Sequence, residues 1–243
     1  DPLWSRGLGD VYKRQDKYIR AYNCKPFTQN EWLICSNQGL YLFNKLTKKV
    51  HSFLRKLDDA YGWLEVHDAL IIDRNKFIIT TKSNGIFTIE QLGRKTSISQ
   101  STQDIFQKHA LVYNATNVLM RDKNGTFWVG TERGLSSFDP LNQGFLGVGQ
   151  SEDLTKGLPS SSIWSFGEDN TGRYLFIGSD NCVSRYDSRR GTFSQFFKKI
   201  NTAKKSNNFS ILCMYAFSPD FIYVGTGDLS LIHISEPTRP ERI

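Results

Sequence analysis

The run NGTFWVGTERGLSSFD at residues 124–139 returns along the chain in variant form, and repeats of this size confine the fold to copies stacked or arranged radially on a shared core. In GRYLFIGSDNCVSRYD at residues 172–187, Gly178 follows Gly130 at a step of 48 (178 − 130), and Tyr186-Asp187 follows Phe138-Asp139 at the same step (187 − 139). Weaker copies lie upstream. They read WLICSNQGLYLF at residues 32–43 and FIITTKSNGIFTI at residues 77–89, with steps on the second glycine of 46 (85 − 39) and 49 (134 − 85). A fifth copy, FIYVGT at residues 221–226, starts 47 residues after the fourth (225 − 178) and breaks off after Asp228.

Each copy divides into two apolar runs, such as Phe127/Val129 and Leu135/Phe138, parted by a polar glycine turn, which is the pattern of a β-hairpin. Ahead of it stands another apolar run that ends on an acidic residue and a tight turn: residues 118–122 with Lys123-Asn124-Gly125, and residues 163–169 with Asn170-Thr171-Gly172. Aspartate, asparagine and glycine reverse a strand at low cost because they cap the turn or accept positive φ. A fourth run follows, seen at residues 193–197 and more faintly at residues 50–53. Four antiparallel strands in some four dozen residues make a propeller blade. No window carries the 3.6-residue apolar stripe of a helical solenoid. The sequence therefore predicts an all-β propeller of about four and a half blades, at residues 16–58, 59–109, 110–158, 159–205 and 206–228. So few blades point to an incomplete ring, and an irregular β-sandwich is the competing architecture.

Residues 1–15 (DPLWSRGLGDVYKRQ) and 229–243 (LSLIHISEPTRPERI) fit no repeat and resemble translated sequencing-library adaptor. Residues 16–228 are thus expected to be an internal piece of a longer chain, so a signal peptide, a membrane span or a catalytic domain on either side is left open. The net charge of +7 becomes about +6 without those ends, in clusters at Lys45-Lys48-Lys49 and Lys198-Lys199-Lys204-Lys205. These lack interleaved aromatics and fall between strands, where charge discourages edge pairing; no nucleic-acid partner is implied. Cys24, Cys35, Cys182 and Cys213 show no C-x-x-C spacing. Cys35 and Cys182 replace glycines of the repeat and are expected as small core residues.

The common hydrolase, zinc and phosphate-binding signatures are absent, and no cofactor is called for. The run Gly144-Phe145-Leu146-Gly147-Val148-Gly149 reads as a flexible connection. His67 beside Asp68 is conceivable as a general acid or base, with a blade-filling or surface role the stronger expectation. Glu132 and Asp180 occupy corresponding turns, but a paired-carboxylate role needs a separation that sequence cannot supply. Asp122-x-x-Gly125-x-x-Trp128 resembles the Asp-box hairpin, which is structural and not catalytic.

With strands a to d antiparallel in each blade, the a–b and c–d turns fall at one end and the b–c turns and d–a crossovers at the other. The a–b turns (Asp73-Arg74-Asn75-Lys76, Asp122-Lys123-Asn124-Gly125, Asp169-Asn170-Thr171-Gly172) are near copies. The opposite end differs from blade to blade, with Asn37 and Gln38, Lys82 and Asn84, Glu132 and Arg133, Asp180 and Asn181 in turns, and Tyr61, Trp63, Tyr113 and Trp164 near crossovers. Diversity on one end of a uniform scaffold is where a ligand is expected, and aromatic planes mixed with amides and charges suit an oligosaccharide or another small polar ligand. Trp32 and Trp128 stand at strand positions and are expected to pack blades.

D-x-N-G-x-x-W-V-G-T-x-x-G-L-x-x-F-D at residues 122–139 and G-L-P-S-S-S-I-W-S-F-x-E-D at residues 157–169 resemble two-component regulator propeller repeats. The resemblance spans residues 16–228, strongest in blades three and four; blade two departs with Thr80 for the first glycine. It implies a periplasmic sensor region of a hybrid histidine kinase, often dimeric and responsive to oligosaccharides, reaching the membrane only through other segments. It carries no catalytic residue into this chain. A propeller carbohydrate-active enzyme and a protein-interaction scaffold are the alternatives.

Overall fold

A computed structural model of the chain describes residues 19–53, 61, 64–92, 95–104, 110–139, 142–198, 210–227 and 231–235. Two compact units, Asp1–Val66 and His67–Ile243, divide it. The first holds the sheet β1 (Ala21–Pro26), β2 (Glu31–Ser36), β3 (Gly39–Asn44) and β4 (Val50–Ser52). The second holds four more sheets. They are β5 (Val66–Ile71), β6 (Lys76–Thr81), β7 (Ile86–Leu92) and β8 (Lys95–Ser101); β9 (Thr116–Arg121), β10 (Phe127–Thr131), β11 (Gly134–Asp139) and β12 (Asn142–Val148); β13 (Ile163–Glu168), β14 (Tyr174–Ser179), β15 (Cys182–Asp187) and β16 (Thr192–Lys198); and β17 (Ile211–Ser218), β18 (Phe221–Thr226) and β19 (Leu231–Ser235). Strands pair only with their sequence neighbours, so each sheet is a meander and each meander is one blade.

Alternation along a strand sends successive side chains to opposite faces. On β10, Phe127 and Val129 join Ile78, Ile86 and Leu119 in the core shared with the second blade. Trp128, between them, joins Leu135, Ile163, Leu175 and Ile177 in the core shared with the fourth. Phe176 and Val183 continue the pattern against Ile211, Ala216, Ile222 and Val224 of the fifth. A blade thus has two apolar faces, and each buried large side chain contributes about 1.5–3 kcal/mol. Cys35 and Cys182 are buried in strands as small residues should be.

The repeat glycines are explained by the same packing. A Cβ at Gly130 would lie 2.6 Å from Val118 Cγ1 and 2.7 Å from Ile163 Cγ2, so only glycine lets β9 and β13 close over β10. Blade two carries Thr80 there instead, and its hydroxyl accepts the Asp68 N–H at 2.8 Å. The a–b turns are alike because one carboxylate builds each: Asp122 Oδ1 accepts the N–H of Asn124 and Thr126, both at 2.9 Å, while Oδ2 accepts the Trp128 indole N–H at 2.8 Å. Asp73 likewise accepts from Asn75 and Lys76.

Gly144 to Val148 is not a connection. It lies in β12 and pairs with β11, Ser137 opposite Leu146 and Ser136 opposite Gly147. Glycine permits this because a Cβ at Gly147 would come 2.5 Å from Val112 Cγ2, and Gly144 has φ +137° beside a register shift. Leu231–Ser235, in the stretch that resembles adaptor, pairs antiparallel with β18. An open strand edge accepts any short β-prone segment, so the pairing does not bear on its origin.

Candidate functional site

The first strands of successive blades pack directly on one another, β9 on β13 and β13 on β17, which makes them the innermost strands of the second unit. At one end of these strands the b–c turns are tied to the crossovers, either the one entering the same blade or the one entering the next. Gly85 N–H donates to Asn114 O (2.9 Å), Glu132 N–H to Ala115 O (3.0 Å) and Gly227 N–H to Ser210 O (3.0 Å). The Ser162 hydroxyl donates to Glu132 O at 3.4 Å. The turns and crossovers therefore form one continuous surface over blades two to five.

On that surface lie eight residues singled out by sequence. The Trp164 indole N–H donates to Asp180 Oδ1 at 2.8 Å, and the Ser210 hydroxyl donates to the same oxygen at 2.7 Å. Asn181, next to them, holds φ +63°, a conformation asparagine tolerates in tight turns. Arg133 lies with its guanidinium carbon 4.5 Å from the centre of the Tyr113 ring, and both Glu132 and Arg133 are exposed. Lys82 is exposed in the β6–β7 turn, where Asn84 N–H donates to Thr81 Oγ1 at 3.0 Å. In the first unit, Asn37 Oδ1 accepts the Arg20 N–H at 2.7 Å, Gln38 N–H donates to Ser36 Oγ at 3.1 Å, and Tyr61 is exposed. Trp63 lies outside the described residues.

Chemically, this surface mixes aromatic rings, amides and charged groups. Among the described residues no three His, Cys, Asp or Glu side chains gather as metal ligands. Asp180 Oδ1 is committed to two donors, and Glu132 lies on the b–c turn of the preceding blade. His67 Nδ1 lies 3.1 Å from Thr116 O, a contact between innermost strands that matches a filling role. Sequence reasoning missed Ser162 and Ser210, whose partners are about 30 residues away and leave no local pattern.

It also missed a groove of about 560 Å³ at the opposite end, between blades three and four, lined by Asp122, Asn124, Trp128, Leu146, Tyr186 and Arg189 among others. Its polar floor is largely spent on structure. Asp122 closes the a–b turn, and Trp128 is only 6% exposed and meets Tyr186 edge-on at 5.3 Å. Burial, with Asp122 and Asp187 nearby, pushes the Tyr186 phenol up from its usual value.

No family model and no curated protein matches the chain. Solved structures do. The extracellular domain of BT3049 from B. thetaiotaomicron, described as a hybrid two component system, is similar over 93% of this chain at 19% identity and a TM-score of 0.66. That of BT4673 from the same organism is similar over 92% at 18% identity and a TM-score of 0.54. The chain has the β-propeller fold of these extracellular domains. The propeller spans 28% and 33% of their respective lengths. A propeller domain of Myceliophteria thermophila Cps50 (Swd1) is similar over 91% of this chain and 71% of its own, at 10% identity and a TM-score of 0.58. The repeats at residues 122–139 and 157–169 thus sit on the fold that their resemblance to two-component regulator propeller repeats implies.

Proposed function

We propose that this propeller is a ligand-binding sensor module of a hybrid two-component histidine kinase system, facing the periplasm, not itself catalytic, and responsive to an oligosaccharide. The observation that carries the reading is the hydrogen-bonded surface of turns and crossovers in the second unit, which gathers Tyr113, Arg133, Glu132, Trp164 and Asp180 at one end. The likeness in fold to extracellular domains of such systems supports it. Rings at this surface cover the C–H faces of a sugar, while amides and carboxylates meet its hydroxyls. Signalling then follows from differential affinity: a glycan that binds one arrangement of two sensors better than another shifts the pair toward it. In the first unit, taken by itself, Asn37, Gln38, Tyr61 and Trp63 are proposed as ligand-contacting residues by the same chemistry.

The test is a glycan array probed with the purified protein, followed by calorimetry on the hits. Binding of at least one oligosaccharide class is expected, weakened by Asp180→Ala, which releases Trp164 and Ser210. An array without hits, confirmed by calorimetry on a neutral and an acidic panel, overturns the reading.

A further inference from the structure

The innermost strand of blade after blade carries the same irregularity at the ligand-binding end. Gly130 and Thr131 pair with Val118 and Thr116, which leaves Asn117 without a partner position. Gly178 and Ser179 pair with Ser165 and Ile163, which leaves Trp164. Gly225 and Thr226 pair with Cys213 and Ile211, which leaves Leu212. The steps are 47 (164 − 117) and 48 (212 − 164), so this β-bulge belongs to the repeat itself. In the first unit, taken alone, Cys35 and Ser36 pair with Asn23 and Ala21 and leave Tyr22.

A bulge places two residues opposite one, bends the strand and re-aims a side chain, and bulges concentrate beside functional sites. Here the residues on either side of the bulge serve the scaffold: Val118 and Ile163 pack over Gly130, and Ser165 donates to Ile211 O at 2.7 Å. The bulged residues share no chemistry. Tyr22 is 38% and Leu212 51% exposed, Trp164 is half-buried against its own b–c turn, and Asn117 donates its amide to Ile163 O at 3.0 Å. Asn117 Oδ1 is buried and has no hydrogen-bond partner among the described residues. Uniform flanks around a free choice are what a scaffold needs in order to vary recognition without altering its packing.

We infer that the bulged position of the innermost strands is the specificity-determining position of this end, with Trp164, its ring fixed by Asp180, as the platform on which a pyranose ring of the ligand stacks. The inference rests on the sensor reading above and adds to it which residues discriminate. Fixing the ring matters because an indole held in place loses little rotamer freedom on binding.

The test uses the purified chain and a panel of neutral and acidic oligosaccharides, read by calorimetry and by quenching of tryptophan fluorescence. Trp164→Leu is expected to weaken the bound oligosaccharide about tenfold or more, since the C–H face of the pyranose loses the ring it stacks on. Trp164→Phe, which keeps a stacking ring but loses the hydrogen bond to Asp180, is expected to weaken binding less than Trp164→Leu while abolishing most of the quench. Arg189→Ala, in the groove at the opposite end, should change neither. Thermal unfolding checks each variant, and if Trp164→Leu does not fold the Trp164→Phe quench decides. Wild-type quenching retained in Trp164→Phe, or affinity lost in Arg189→Ala and not in Trp164→Leu, overturns the inference while leaving the sensor reading intact. A panel without any binding overturns both.

Discussion

Replacing Gly130 by alanine inserts a methyl group where two blades already touch. Its Cβ would stand 2.6 Å from Val118 Cγ1 and 2.7 Å from Ile163 Cγ2, about 1 Å inside the carbon–carbon contact distance of roughly 3.5–4.0 Å on both sides. Neither neighbour can yield cheaply. Val118 is β-branched on the paired strand, and Ile163, fully buried, begins the innermost strand of the next blade. Overpacking of this kind costs about 1–3 kcal/mol, and alanine returns about 0.4–1 kcal/mol by restricting the unfolded chain. The expected net loss is about 1–2 kcal/mol, read as a lower urea midpoint by tryptophan fluorescence with an unchanged slope. Adding Val118→Ala should recover part of it, a favourable coupling in a double-mutant cycle. Gly149→Ala is the control: a Cβ there meets nothing within 4 Å, so stability should hold or rise slightly. The packing argument is refuted if Gly130→Ala unfolds at the wild-type midpoint, or if Val118→Ala leaves the penalty undiminished.

Two further predictions concern carboxylates. Asp68 is buried, and its Oδ1 and Oδ2 accept the N–H of Ala69 (2.8 Å) and of Leu119 in the next blade (3.0 Å). Asp68→Ala leaves two buried N–H groups unmatched and should cost about 2–4 kcal/mol by denaturant titration; a loss under about 1 kcal/mol would show that the link is dispensable. Asp187 is held at about 2, against its usual 3.8, first by its hydrogen bonds from Arg173 and then by the backbone N–H groups of Arg189 and Arg190. Its stabilising contribution is therefore complete above about pH 4 and is lost as the pH falls through about 2. That contribution is at most about 2 kcal/mol, because solvent screens the pair. Asp187→Asn should flatten this acid limb of the stability profile, and an unchanged limb would remove Asp187 from the account.

The surface where a ligand is proposed was legible in outline only. Repeat comparison picked out Glu132-Arg133, Asp180-Asn181, Tyr113 and Trp164 as variable, and the structure joins them at one end of the second unit. The bulges were not legible. A strand with an extra residue differs from a regular one only in register, and register shows once Gly130 and Thr131 are seen to skip Asn117.

By itself the sequence determined the blade: its period, its hairpins, the aspartate that closes each a–b turn and the apolar alternation that gives each sheet two faces. All of these act over a few residues, so they leave a local pattern. Tertiary structure alone decided that Gly144 to Val148 is an outer strand, that Ser210 reaches Asp180, and that Gly130 exists to admit Val118 and Ile163. Each depends on the surface of a neighbouring strand or blade between 9 (146 − 137) and 35 (147 − 112) residues away, and what that surface offers is known only once the strands have packed.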